Sequence, residues 1–112
     1  MKIALSSLGK DINSDLSKVF GRCPCFFIME IEDKKVKGFE AIENTSQNQM
    51  GGAGISAVRT IAGKNVDAVI AGAFGPRALT VLKQFNIEAY TGAGSINEVS
   101  QKFIQGKLKK IQ

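Results

Sequence analysis

Val66 to Phe85 reads VDAVIAGAFGPRALTVLKQF, and the change of period inside it decides the fold. Val66 to Ala71 is almost unbroken apolar sequence, as a strand covered on both faces requires. Gly75 then stands as a helix cap and Pro76 suits the first helical position. Ala78, Leu79, Leu82 and Phe85 share one helical face. Asn86 follows as a left-handed stop. A buried strand that feeds a helix is half of a βαβ unit, and Ile87 to Thr91 (IEAYT) supplies the second strand. That strand should lie parallel to the first through a right-handed crossover.

Outward from this unit the pattern continues in both directions. Ser95-Ile96-Asn97-Glu98 has capping-box spacing and opens a third helix that carries Val99 and Phe103 and stops at Gly106. Upstream, Ala53 to Ala62 places Ile55, Val58, Ile61 and Ala62 on one face of a first helix. Phe26 to Glu32 (FFIMEIE) and Val36 to Glu43 (VKGFEAIE) are strand formers joined by the polar turn Asp33-Lys34-Lys35, which makes an antiparallel hairpin. Lys2 to Ser6 (KIALS) is a short buried first strand. Ser7 to Pro24 has no period and reads as a long loop. The order is βββαβαβα in one domain, residues 1–112.

The 112 residues suffice for one core, and 44% hydrophobic against 22% charged composition is that of a folded globular chain. No stretch approaches the length of a membrane span, so a cytoplasmic protein with no membrane contact is expected. Fifteen basic against 10 acidic residues give +5. Much of the excess lies in Lys102, Lys107, Lys109 and Lys110, which read as a solvated helix end that complements its dipole.

With the first strand central and the second antiparallel to it, the strand order is 3-2-1-4-5. Ser6-Ser7, Phe20 to Cys25, Met50 to Gly54, Gly72 to Gly75 and Gly92 to Ser95 then fall on one sheet edge, where open α/β sheets bind ligands. Three helix N-termini point at that edge and favour an anion. Ser7, Gly21, Arg22, Gly51, Gly52, Gly54, Gly72 and Gly75 are the candidate binding residues, with Arg77 close by. Glycine there admits a ligand to the backbone, or it only makes turns and caps. No phosphate-loop or dinucleotide fingerprint is present.

The segments MKIALSS, LSKVFGRCPCFFIME, IEN followed by GGAGI, VDAVIAGAFGPRAL and EVSQKFIQGKL, in that order, resemble the dinitrogenase iron-molybdenum cofactor biosynthesis family. The likeness runs nearly the whole length. It implies a ribonuclease H-like, three-layer α/β domain with a mixed five-stranded sheet and three flanking helices. It also implies binding or delivery of a metal-sulfur cluster. Family members often carry histidine where this chain has Val19 and Met50, and this chain has no histidine at all. It therefore either uses sulfur donors or binds a different ligand.

Cys23 and Cys25, with Met50 as a thioether, would form a soft-metal site if their loops met. Cys23, nearer the loop, is the better ligand candidate, and Cys25, leading into a strand, the better core candidate. Met50 otherwise packs on the sheet. The expected function is non-enzymatic binding or carrying of an anionic metal-sulfur cluster or its precursor, an iron-sulfur or molybdenum-containing one, for an acceptor protein. The oligomeric state expected is monomer or weak dimer. A regulatory scaffold that has lost the ligand, or a basic nucleic-acid-binding module, are the alternatives. No catalytic set based on histidine or paired carboxylates can be built.

Overall fold

The computed structural model describes residues 1–112. Its strands are β1 (Lys2–Ser7), β2 (Cys25–Glu32), β3 (Lys35–Glu43), β4 (Ala68–Ala71), β5 (Glu88–Thr91) and β6 (Lys109–Lys110). Its helices are α1 (Ala53–Ala62), α2 (Pro76–Gln84) and α3 (Ile96–Ile104). The sheet order is β3-β2-β1-β4-β5-β6. β2 is antiparallel to β1 and β3, and β4 and β5 run parallel to β1.

The sheet has six strands, not the five expected. β6 pairs antiparallel with β5, and Lys110 reaches Glu88 at 2.7 Å. Lys109 and Lys110 are thus part of the sheet rather than a solvated helix end. The hairpin turn is shorter than expected, with Asp33 and Lys34 both at positive φ (52° and 62°), which matches the twist of its strands. Asn86 is left-handed at φ 59°, the helix stop its type suggests.

Two apolar layers sandwich the sheet. α1 and α2 close one over Phe26, Ile28, Val69 and Ala89, and α3 closes the other over Leu5, Phe27 and Ile70. Phe85, read as part of the α2 stripe, is exposed, because the stripe ends at Leu82.

The segment read as a formless loop is a strap. Ser14 to Phe20 crosses the C-terminal ends of the central strands and bonds to each in turn. Leu16 N–H donates to Gly94 O (2.8 Å) and Ser17 N–H to Ser6 O (2.7 Å). Gly72 N–H donates to Ser17 O (3.0 Å) and Phe20 N–H to Ala73 O (2.9 Å). Gly72 is needed for this crossing: a Cβ there would lie 2.8 Å from Lys18 Cα and O. The edge expected to hold the ligand is therefore covered over most of its length.

Candidate functional site

What stays open lies beyond the strap's end, where it descends between the starts of α1 and α2. Phe20 anchors that end, stacked on Phe74 with ring centroids 5.3 Å apart and tilted against Phe26 at 5.7 Å. Gly21 follows at φ +100°, and a Cβ on it would sit 2.9 Å from Gly54 Cα. Gly54 in turn packs on Ala78. Small residues thus let the strap and two helix N-termini converge. Between them opens a cleft of ≈ 380 Å³, walled by Val19, Phe20 and Arg22, by Gly52 to Ile55, and by Gly75 to Ala78.

The cleft is electropositive by construction. The caps Gly52 and Gly75 offer no side-chain acceptor, and neither helix has an acid in its first turn. The N–H groups of Gly54, Ile55, Arg77 and Ala78 have no acceptor in the protein. Each helix adds the positive end of its macrodipole. Arg22 and Arg77 add full charges, and no carboxylate lines the cleft. Arg77 is unpaired, since the three ion pairs are Lys10 with Glu43, Lys64 with Glu40 and Lys110 with Glu88. Arg22 Nη1 donates to the carbonyls of Gln47 and Gln49.

The third helix N-terminus does not join them. Ser95 Oγ accepts from Glu98 N–H, Glu98 returns a bond to Ser95 N–H, and the carbonyls of Ser14 and Ile12 accept from Ile96 and Asn97. The Ser95 N–H, with the Ser95 hydroxyl, holds the Glu98 carboxyl below its usual value. α3 has no room for an anion.

The strap's descent is fixed by one amide. Asn44 is buried, and its Nδ2 donates to Gly21 O (3.0 Å) and Cys23 O (2.8 Å), the carbonyls flanking Arg22. Its Oδ1 accepts from Ser46 N–H (3.1 Å).

Of the residues singled out from the sequence, Arg22, Gly52, Gly54 and Gly75 line the cleft, and Arg77 lines it with them. Gly21 backs it. Ser7 lies elsewhere, its hydroxyl donating to Gly9 O (2.6 Å). Gly72 is spent on the strap, Gly51 stands in open space, and Met50 is fully exposed rather than packed on the sheet. Val19, Phe20, Ile55 and Pro76, an apolar share of the wall, are not among the candidate binding residues, since only glycines, Ser7 and arginine read as binding groups in the sequence.

The two cysteines part company. Cys23 is 1% exposed and belongs to the core under α1 and α2. The Ser6 hydroxyl lies next to it but has no hydrogen bond of normal geometry. Cys25, also 1% exposed, has its Sγ 3.0 Å from Gly9 O and sits beneath a shallow depression with Lys10 and Glu43. Neither thiol lines the cleft, and nowhere do three His, Cys, Asp or Glu side chains gather as a metal site.

Burial pushes both thiols above the ordinary 9.0, while the neighbouring Ser6, Gly21 and Asn44 at Cys23, and Ser7 and Lys10 at Cys25, pull the other way. The raised values mean that the folded state holds its thiol protons more tightly than the unfolded one. That contribution is complete below pH 9.0 and is lost as pH rises through the folded values. Urea melts should therefore show stability falling from about pH 9 upward. A Cys23→Ala, Cys25→Ala variant should show a flatter decline. At neutral pH, alkylation in the folded state should be at least ~100-fold slower than in urea.

Residues 1–106 match the family described as dinitrogenase iron-molybdenum cofactor. The chain belongs to that family. It is 40% identical over its whole length to the uncharacterized protein MJ0580 of Methanocaldococcus jannaschii, covering 97% of that protein. Among solved structures it resembles PH0822 (30% identity, TM-score 0.84, 98% of this chain and 96% of that one). It also resembles the apo form of the orange protein of Desulfovibrio gigas (TM-score 0.90, 97% of this chain and 91% of that one). At 23% identity the second likeness shows the fold alone. No helix of this family member is long and apolar enough to cross a membrane.

Proposed function

We propose that the protein is a non-enzymatic binder or carrier of an anionic metal-sulfur cluster or its precursor, which it passes to an acceptor protein. One observation carries the reading: two uncapped helix N-termini and two arginines converge on one cleft that contains no carboxylate. Family membership supports a metal-sulfur ligand as the anion. The donor set suits an anion held from outside by N–H···S and N–H···O bonds and guanidinium charge, since no thiol, imidazole or carboxylate lines the cleft. Thiolate ligation by Cys23 or Cys25 would require the strap's descent to open first.

Tetrathiomolybdate is a suitable probe, because it is a small molybdenum-sulfur anion. Anaerobic equilibrium dialysis with metal analysis should find it bound to the wild-type chain. Loss of a charged hydrogen-bonding group costs about 1.5 to 3 kcal/mol, so Arg77→Glu should weaken binding at least tenfold. Cys23→Ser should retain it. Undetectable binding to the wild type, or equal binding to Arg77→Glu, would sink the proposal.

A further inference from the structure

The two ends of the sheet are finished differently. At one end β6 is two residues long and both are lysine, a short charged edge that discourages pairing. At the other, β3 is nine residues long, and nothing pairs with its outer side. A register shift opposite Glu30 and Ile31 leaves Lys37 as an extra, bulged residue, so Lys35 and Lys37 guard the first half of the strand. From Gly38 to Glu43 the ladder is regular and carries no lysine. Phe39, in the middle, is 56% exposed, with its ring against Phe27 at 5.8 Å.

Across the bulge, Val36, Phe39 and Ala41 face the same side of the sheet, the side of Ile31, Met29 and Phe27. Glu40 faces the other side with Ile28. When two copies of β3 are set antiparallel with Phe39 opposite itself, the bulge included, Val36 of each copy falls opposite Ala41 of the other. Gly38, with Lys37 beside it, falls opposite Glu40. One face then joins apolar residues only, with an aromatic pair at its centre. The other sets a lysine beside a glutamate twice. The alternative with Glu40 opposite itself places like charges together.

We infer that β3 pairs with β3 of a second copy about a two-fold axis through Phe39, giving a dimer with one continuous sheet. This goes beyond cluster carriage and is independent of it. The cleft lies on the helix starts, away from β3, so both copies keep theirs open.

Sedimentation equilibrium on the full chain tests it, from ~10 µM to ~1 mM, the range expected for a modest interface. The average mass should climb from the 12.0 kDa of one chain toward twice that value. Phe39→Lys should weaken association at least about tenfold, since it sets two charges against each other at the axis. Glu40→Lys should also weaken it, and Lys37→Glu combined with Glu40→Lys should restore it. All these positions are exposed, and the one ion pair among them, Glu40 with Lys64, lies at the surface where its loss costs at most about 1 kcal/mol, so the fold survives the changes. A mass of 12.0 kDa at every concentration would overturn the inference and leave the edge to a strand of a different protein. Self-association indifferent to Phe39→Lys, or not restored by the charge exchange, would overturn it too.

Discussion

Asn44→Ala is expected to lower stability by about 3 kcal/mol, because it strips partners from three backbone groups at once, each worth ~1 to 3 kcal/mol when buried and unpaired. Gly21 O and Cys23 O lose their donor, and Ser46 N–H its acceptor. Asn44→Asp separates this from a volume effect. Its shape is the same and its oxygen still serves Ser46, but it has no N–H for the two carbonyls and turns a carboxylate toward them. Both variants should show a similar fall in urea midpoint with an unchanged slope. Wild-type stability in Asn44→Asp would refute the donor role. Either change also frees the strap on both sides of Arg22, so the probe anion should bind more weakly.

Gly21→Ala should cost as much or more. At φ +100° a Cβ is strained by about 1 to 3 kcal/mol whatever surrounds it. Here it would also meet Gly54 Cα at 2.9 Å and Gly54 N at 3.2 Å, both backbone atoms that cannot swing away. Overpacking of that kind adds ~1 to 3 kcal/mol. The expected sum is about 3 to 4 kcal/mol in chemical unfolding, with anion binding lost as α1 is pushed off α2. Gly51→Ala, in open space with no positive φ, is the control and should change stability by less than ~0.5 kcal/mol. Equal stability of Gly21→Ala and Gly51→Ala would mean that the strap is not packed as described.

The architecture was legible where local period and burial agree. VDAVIA and PRALTVLKQ announce strand and helix through their own side chains, and Asn86 announces the stop between them. Lys109-Lys110 announces nothing, because two exposed lysines form a strand only when Tyr90 and Thr91 are already there to pair with. The strap was invisible for the same reason: its bonds are backbone groups to Ser6, Gly72, Ala73 and Gly94, and backbone bonds leave no side-chain pattern. Half the site was legible, since bare glycine caps at positions 52 and 75 beside Arg22 and Arg77 are readable as an anion wall. Its extent was overstated by counting the third helix start, whose capping pair is Ser95 and Glu98, among those that face an anion. The capping box read from that pair was itself the sign that the third helix start is occupied.

The strap also sets when the cleft can exist. Its anchors lie far along the chain, at Ala73 for Phe20, at Gly94 for Leu16, and at Ile96 for the carbonyl of Ser14. A ribosome that has released only the first half of the polypeptide has made Arg22 and the start of α1, with Ser6 and Asn44 to hold the strap, but none of its anchors beyond β4. The pocket wall therefore closes only after β5 and the first turn of α3 have emerged, and a nascent or truncated chain lacks the finished cleft.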